Sequence, residues 1–390
     1  MDASVNRIPI SEKERAILIG VLLPEADESE ISHSLDELTQ LVHTAGAVVV
    51  TRYIVKRMAF DPAYLIGMGK LTEIKNLIAE QSIKLVVFDL NTIRPVQIRN
   101  LENYLHCRVI GRTEVILDIF ARRARTTEAK IQVELAQLNY ILPRLKGLGG
   151  VLSRLGGGIG TRGPGEKMLE TDRRHILRRI TTLKKKLIHI SHRRDLQRQQ
   201  RLHNEIIGAV VGYTNAGKST LVNILAKDDL FVEDRLFATL DPYTRSVYLD
   251  NQHNVLLTDT VGFINNLPSH LIESFKSTLE EIKYSDFIIH VVGLDINIDR
   301  AVAVVAHELQ LLDSNNKPNI LFFNKCDIVS PDVIHHVRLL YPDSIIGSCL
   351  TGEGIINLKE RMIKIIETTH HKKQQSIINK NIELKYHHLN

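Results

Sequence analysis

One run of residues constrains this chain more than any other feature of its sequence. Residues 212–219 read Gly-Tyr-Thr-Asn-Ala-Gly-Lys-Ser, which fits the pattern of a glycine, four free positions and then Gly-Lys-Ser/Thr. The apolar run at 206–211 predicts a buried strand before it, and residues 219–225 predict a helix after it. This context favours a phosphate-binding loop (P-loop) in an α/β domain over a glycine-rich turn that matches the pattern by chance.

The residue types in this loop suit a triphosphate. Backbone N–H groups of a glycine-rich turn, together with a helix N-terminus, form a concave positive surface from which Gly212 and Gly217 keep side chains away. Lys218 is predicted to reach the β- and γ-phosphates, and the Ser219 hydroxyl to ligate Mg²⁺. The candidate phosphate-binding residues are Gly212, Tyr213, Thr214, Asn215, Ala216, Gly217, Lys218, Ser219 and Thr220.

A polar stretch follows the first helix at the place where a switch threonine is expected. It contains Phe237, Ala238 and Thr239. Thr239 is the candidate to ligate Mg²⁺ and to sense the γ-phosphate, and Thr244 is the second choice.

An Asp-x-x-Gly element comes next, made of Asp259, Thr260, Val261 and Gly262. Asp259 ends a predicted strand and is placed to hold Mg²⁺ through a water, while the Gly262 N–H is placed to meet the γ-phosphate. The candidate metal ligands are therefore Ser219, Thr239 and Asp259, and the candidate catalytic groups are Lys218, Thr239 and Gly262.

The base preference is predicted from residues 324–327, which read Asn-Lys-Cys-Asp after an apolar strand. An ionised carboxylate such as Asp327 accepts two hydrogen bonds from guanine N1–H and its 2-amino group, a donor pair that adenine lacks. Asn324 is expected to hold the loop and the base, and Lys325 to pack its stem on the ring. Backbone contacts to the base are expected from Ser348, Cys349 and Leu350, so the predicted ligands are GTP and GDP with Mg²⁺.

The first third of the chain alternates short apolar runs with helical periods. Residues 16–22, 47–50 and 84–88 predict strands, and residues 35–42 and 71–79 predict helices. The pattern is typical of a small α/β unit.

Long helices are predicted from residue 114 onward. The first apolar stripe comprises Ile131, Leu135, Leu138, Leu142 and Leu145, and the second Leu169, Ile176, Ile180, Leu183, Leu187 and Ile190. Two stripes in succession predict an antiparallel helical hairpin, with Pro143 ending or kinking its first helix. The glycine-rich run at 146–165, which contains Lys146, Arg154 and Arg162, is predicted to be an irregular loop at its tip.

Positive charge is concentrated in this hairpin. The chain has a formal charge of +5, but residues 121–205 contain 20 Lys and Arg against 7 Asp and Glu. A solvated helix face could carry such a run, yet its few acidic partners favour a polyanion such as RNA.

Other classes of protein are disfavoured. The three cysteines lie far apart, without the spacing of a metal or redox site, and the chain has neither an apolar run of membrane-spanning length nor a signal-peptide core at its start. We expect a cytoplasmic monomer. The predicted domains are 1–112 (N-terminal α/β), 113–203 (hairpin), 204–369 (nucleotide-binding) and 370–390 (basic tail).

Several runs outside the nucleotide motifs resemble the HflX family of GTPases. They are Leu-Asp-Ile-Phe-Ala at 117–121, Glu-Ala-Lys-Ile-Gln-Val-Glu-Leu-Ala-Gln-Leu at 128–138, Gly-Ile-Gly-Thr-Arg-Gly-Pro-Gly-Glu at 158–166 and Leu-Glu-Thr-Asp-Arg-Arg at 169–174. The resemblance implies the fold class α/β, a P-loop GTPase domain of the TRAFAC class preceded by a small α/β domain and an antiparallel helical hairpin. It also implies binding to the large ribosomal subunit and its rRNA, and GTP-dependent splitting of stalled or idle ribosomes under stress.

The chain departs from the family at a few positions. Lys167 and Met168 replace the usual Thr-Gln, Gly111 replaces a usual Asp, and Cys349 replaces a usual Ala. Where many GTPases carry a glutamine that orients the attacking water, this chain has Phe263. We therefore expect slow intrinsic hydrolysis that a partner stimulates. The alternative is a GTP-switched docking factor for RNA or ribosome assembly that does not split ribosomes.

Overall fold

The computed structural model describes residues 13–152, 164–202, 205–227, 236–237, 239–240, 243–264, 268, 271 and 281–370. Within helices, the side chains at 146–152, 164–169 and 193–202 are outside this description. The described residues form two compact units, one from 1–122 and 137–180 and the other from 123–136 and 181–390.

The first unit contains a four-stranded parallel sheet. Its strands are β1 (Arg15–Leu22), β2 (Val48–Lys56), β3 (Leu85–Phe88) and β4 (Arg108–Gly111), in the order β2-β1-β3-β4. Helices α1 (Glu28–Thr44), α2 (Met68–Gln81) and α3 (Pro95–Leu105) connect them. The three predicted strands and two predicted helices of this region are confirmed.

Two elements of this unit are absent from the sequence-based prediction. Strand β4 has only four residues, too few for a clear periodic pattern. Helix α3 begins at Pro95, which suits a first helical position, and buries Leu101 and Leu105 at helical spacing. The proline and this spacing were the available signals for the helix.

A buried arginine ties three elements of this unit together. Arg112 starts helix α4 (Arg112–Arg123) and is 1% exposed. Its Nη2 donates to Glu37 Oε2 on α1 at 2.6 Å, and its Nη1 donates to Asp89 Oδ1 after β3 at 2.9 Å. Burial works to lower the pKa of Arg112, but the two carboxylates outweigh it and raise that pKa. The guanidinium therefore stays charged and holds both carboxylates.

Two long helices follow, α5 (Thr127–Leu152) and α6 (Pro164–Leu202). Between residues 170 and 192 of α6, every side chain is exposed except Ile176, Ile180, Leu183, Leu187, Ile190 and Ser191, which confirms the second predicted stripe from Ile176 onward. The side chain of Leu169, its first predicted member, lies outside the described residues. The antiparallel pairing of α5 with α6 stays a prediction.

The glycine-rich run is more regular than its composition indicates. Helix α5 continues through Pro143 to Leu152, and α6 already begins at Pro164, so the prediction of an irregular loop from residue 146 is wrong. Of the two alternatives predicted for Pro143, a helix end is excluded and a kink stays a prediction. Glycine costs a helix only about 1 kcal/mol per residue, so an established helix can extend over several of them. Residues 153–163, including Arg154 and Arg162, lie outside the described residues.

The second unit contains a six-stranded sheet in the order β10-β9-β8-β5-β7-β6. Its strands are β5 (Ile207–Gly212), β6 (Tyr243–Tyr248), β7 (Asn254–Asp259), β8 (Phe287–Gly293), β9 (Asn319–Asn324) and β10 (Ile345–Ile346). Only β6 runs antiparallel, against β7. The helices of this unit include α7 (Lys218–Ala226), α8 (Ile298–Leu311), α9 (Pro331–Leu340) and α10 at 355–370.

The parallel strands of this sheet position the candidate site. Strands β5, β7, β8 and β9 end at Gly212, Asp259, Gly293 and Asn324, and the carboxyl ends of parallel strands meet at one edge. The predicted α/β class with a P-loop domain is confirmed. None of the helices in the described part of the chain combines the length and hydropathy that a bilayer-spanning helix needs.

Replacing Arg112 with alanine removes the cation that Glu37 and Asp89 share. These two side chains are 13% and 6% exposed, so we expect R112A to lower the free energy of unfolding by about 3–5 kcal/mol. Arg52, which pairs with Asp36 at the surface, is the matched control, and R52A should cost less than about 1 kcal/mol. Urea titrations followed by circular dichroism measure both, and equal losses would contradict this role of the buried network.

Candidate functional site

A cleft of about 590 Å³ lies at the strand-end edge of the second unit. The predicted site residues that line it are Thr214, Asn215, Gly217, Lys218, Ser219, Thr220, Phe237, Thr239, Thr260, Gly262, Asn324, Lys325, Asp327, Ser348, Cys349 and Leu350. Three further residues, Ile224, Asp295 and Ile328, line it without having been predicted. The cleft therefore brings most of the separate motifs into one space.

Five other predicted site residues lie outside the lining, and one cannot be placed. Gly212 and Asp259 end strands β5 and β7, and Tyr213, Ala216 and Val261 lie in the loops that follow, but none of the five lines the cleft. Ala238 lies outside the described residues.

The loop between β5 and α7 has a fixed backbone. Asn215 and Gly217 have positive φ angles of 61° and 94°. A Cβ atom at position 217 would lie 2.1 Å from the Asn324 side-chain amide, so only glycine allows this close approach. The Thr214 N–H donates to the Phe263 carbonyl at 2.7 Å, and the Phe263 N–H donates to the Gly212 carbonyl at 3.1 Å. These bonds attach the loop to the segment after Gly262.

Lys218 supplies a buried positive charge at the start of α7. Its Nζ donates to the Tyr213 carbonyl at 2.8 Å, and its side chain is only 6% exposed. Burial lowers the pKa of Lys218 to about 8, against the opposing effect of Asp259. An anion in the cleft would compensate the cost of burying this ammonium.

Three oxygen-bearing side chains converge beside Lys218. Ser219 Oγ and Thr239 Oγ1 each donate to Asp259 Oδ2, at 2.6 and 2.8 Å, and the two hydroxyls are 2.7 Å apart. Asp259 Oδ1 is buried and has no hydrogen-bond partner among the described residues. Burial raises the pKa of Asp259, although Lys218 and the two hydroxyls act to lower it. A carboxylate and two hydroxyls are ligands that a hard cation such as Mg²⁺ prefers, so the residues present fit that ion.

Thr244, the second choice for the switch threonine, lies elsewhere. It belongs to strand β6, and its hydroxyl is hydrogen-bonded to Thr258 Oγ1 at 3.0 Å. It is not among the residues that line the cleft. Sequence reasoning missed β6 and therefore kept Thr244 as an alternative.

The other end of the cleft is organised by Asn324. Its Nδ2 donates to the Ala216 carbonyl at 2.9 Å, and its Oδ1 accepts from the Cys349 N–H at 2.8 Å. The Ser348 hydroxyl accepts from the N–H groups of Leu350 and Thr351 at 3.1 and 3.2 Å. One amide thus connects the P-loop to the loop after β10.

Two of the three cysteines lie near this end. Burial is the main cause that raises the pKa of Cys349 to about 12 and that of Cys326 to about 11. Cys326 Sγ donates to Glu353 Oε2 at 3.4 Å. Both thiols are therefore protonated at neutral pH and are poor nucleophiles.

The side chain of Phe263 belongs to the core and does not line the cleft. It is 3% exposed and packs in an apolar cluster with Ala209, Val211 and Ile282. Its backbone forms the hydrogen bonds to the P-loop described above, while its side chain serves as core. The position after Gly262 therefore offers no polar group to a water molecule.

Family models match most of the chain. Residues 32–121 match "GTP-binding GTPase N-terminal", residues 123–201 match "GTP-binding GTPase Middle Region", and residues 208–325 match "50S ribosome-binding GTPase".

Curated relatives are similar over nearly the same span. GTPase HflX of Lacrimispora saccharolytica is 50% identical over 365 residues, which cover 91% of this chain and 83% of the relative. GTPase HflX of Caldanaerobacter subterraneus subsp. tengcongensis is 50% identical over 320 residues, covering 82% of this chain and 74% of the relative. GTPase HflX of Escherichia coli K12 is 40% identical over 349 residues, covering 88% and 81%.

A solved structure supports the fold alone. The crystal structure of a complex of SsGBP with GDP has a TM-score of 0.52 and 24% sequence identity to this chain, and the match covers 90% of this chain and 98% of that one.

Removing the Asn324 amide should separate the two ends of the cleft. In N324A the Ala216 carbonyl and the Cys349 N–H lose their buried partner, and each unsatisfied group should destabilise the folded site by about 1–3 kcal/mol. We expect the affinity for GDP, measured by titration of a fluorescent analogue, to fall at least about tenfold.

Asn319, exposed at the start of the same strand, is the matched control for that measurement. N319A should bind GDP as the unmodified chain does. Equal affinities for N324A and N319A would show that the amide does not organise the site.

Proposed function

Because the chain belongs to the HflX family of GTPases, we propose that it binds the large ribosomal subunit and uses GTP to split stalled or idle ribosomes under stress. The observation that carries the nucleotide part is the single cleft shared by the P-loop, the Asp-x-x-Gly element and the Asn-Lys-Cys-Asp element. The proposal of ribosome binding rests on the basic face of α6, the exposed surface that carries Arg173, Arg174, Lys184, Lys185 and Lys186.

The phosphates would lie against the P-loop. In this proposal the backbone N–H groups after Gly212 and the Lys218 ammonium bind the β- and γ-phosphates. Ser219, Thr239 and Asp259 would hold Mg²⁺, which when bound neutralises charge on the phosphoryl oxygens. The convergence of their oxygens within 2.8 Å supports this assignment.

The guanine base would lie at the Asn324 end. Asp327 would accept from N1–H and the 2-amino group, and the backbone at Cys349 and Leu350 would contact the ring. Asn324 would act through the loops that it holds. The presence of all four side chains in the lining of one cleft supports this placement.

Hydrolysis would need a partner. The Gly262 N–H and the Lys218 ammonium would stabilise charge on the γ-phosphate, but the buried Phe263 side chain cannot orient a water molecule. A ribosomal component would supply or order the missing group. Fast hydrolysis would then be confined to the bound state.

The ribosome contact would be made by the basic helix. Lys184, Lys185 and Lys186 are exposed on α6, and Arg173 and Arg174 are exposed one to two helical turns before Ile180. Contacts between such side chains and phosphates dominate the affinity for RNA and weaken as salt rises. We propose that the protein acts in the cytoplasm as a monomer.

The alternative function is docking without splitting. A GTP-switched factor for RNA or ribosome assembly would use the same cleft and the same basic face. The two functions differ in whether joined ribosomes are converted to free subunits.

A sucrose gradient measures that difference. When the GTP-loaded protein is mixed with joined ribosomes, we expect the joined peak to decrease and both subunit peaks to increase. Co-migration with the large subunit, without loss of the joined peak, would support the alternative and contradict splitting.

Charge inversion tests the basic face in the same gradient. K184E/K185E should abolish splitting and co-migration, because each variant side chain replaces attraction to phosphate by repulsion. Arg361 and Lys364, both exposed on α10, are the matched control, and R361E/K364E should behave like the unmodified chain. Loss of binding in both variants would point to net charge rather than to this face.

A further inference from the structure

We propose that Asp295 is a positioning residue of the base site, which sets the affinity for guanine by holding Lys325 in place. This inference rests on the proposed placement of the base at the Asn324 end of the cleft. Asp295 lies just beyond β8, outside all of the predicted motifs, and lines the cleft together with Lys325.

The two side chains form an ion pair at the edge of the cleft. Asp295 Oδ2 and Lys325 Nζ are 2.7 Å apart, and their side chains are 32% and 22% exposed. This pair is less exposed than the surface pairs of the first unit, such as Lys56 with Glu28 at 70% and 56%. Water and salt therefore screen it less.

The pairing gives the lysine ammonium a negatively charged partner, which a neutral base cannot provide. A guanine ring is neutral, so the part of Lys325 that can pack on it is the aliphatic stem. The ammonium at the end of that stem needs an acceptor beyond the ring. Asp295 supplies a carboxylate at that position and so keeps the flexible side chain extended along the wall of the cleft.

The backbone holds both residues in register. The Leu294 N–H donates to the Asn324 carbonyl at 3.0 Å, which joins the ends of β8 and β9 next to the pair. Lys325 itself has a φ of 72°, a left-handed conformation that is uncommon for a residue with a side chain. The conformation fixes the direction in which its stem leaves the backbone.

Gly293 provides the room for the carboxylate. A Cβ atom at position 293 would lie 2.5 Å from Asp295 Oδ1 and 3.8 Å from the Ala216 Cα. Any side chain at 293 would therefore displace the Asp295 carboxylate, while the P-loop backbone would remain at contact distance. Gly293, Asp295 and Lys325 thus form one coupled unit.

The expected consequence is confined to binding. D295A frees the Lys325 stem, so the Kd for GDP should rise about 5- to 20-fold. The same rise is expected for KM of GTP, with kcat unchanged, because the phosphate end is untouched. G293A should produce the same change by moving the carboxylate. Asp332, exposed on α9, is the matched control, and D332A should bind GDP normally.

A double-mutant cycle tests whether Asp295 acts through Lys325. We expect D295A to weaken GDP binding in the unmodified chain but to change it less than twofold when K325M is already present. Thermal unfolding checks that every variant is folded. An unchanged Kd for D295A, or an equal loss in both backgrounds, would overturn the proposal.

A separate variant tests the base placement on which the inference rests. D327N replaces one acceptor by a donor, which matches the 2-oxo group of xanthine, so it should prefer xanthosine diphosphate to GDP. If D327N keeps its guanine preference, the base site itself is wrongly placed. If D327N prefers xanthosine diphosphate as expected while D295A leaves the Kd for GDP unchanged, only the role of Asp295 is refuted.

Discussion

The contact between the P-loop and the Asn324 amide is the constraint on which the rest of the site depends. A Cβ atom at Gly217 would lie 2.1 Å from that amide, so the loop can close only around a glycine. The same amide bonds the Ala216 carbonyl and the Cys349 N–H. Asn324 therefore joins the P-loop to the loop after β10, at the edge where four parallel strands end.

Sequence patterns pointed to residues that meet at one cleft, because nucleotide chemistry demands a fixed spacing, and the roles assigned to those residues stay predictions. The P-loop, Asp259, Asn324 and Asp327 were identified because a phosphate, a cation and a base each restrict the residue types at set positions. Asp295 was missed because its role depends on a partner thirty residues away, at Lys325. A carboxylate shortly after a buried strand was the available signal, and it is too common to decide anything alone.

The predictions that failed depended on local propensity. The glycines at 147, 149 and 150 suggested irregular backbone, yet α5 continues to Leu152, because propensity is a small contribution that an existing helix can override. In the same way, β6 has mostly exposed residues and no strong apolar pattern, so its pairing with β7 decided its structure.

The chain and its proposed partner are expected to contribute different parts of the reaction. In the proposed mechanism the chain would supply the nucleotide site from its own residues, but the buried Phe263 offers no polar group to hold the attacking water.

The central claim is that this GTPase is complete for binding and incomplete for hydrolysis. Single-turnover hydrolysis of GTP, measured for the purified protein alone and with isolated large ribosomal subunits, tests it most directly. We expect a basal rate below about 10⁻² s⁻¹ that rises at least about 100-fold with the subunits. A fast basal rate would contradict the inference from Phe263, and an unchanged rate with subunits would contradict the ribosome as the activating partner.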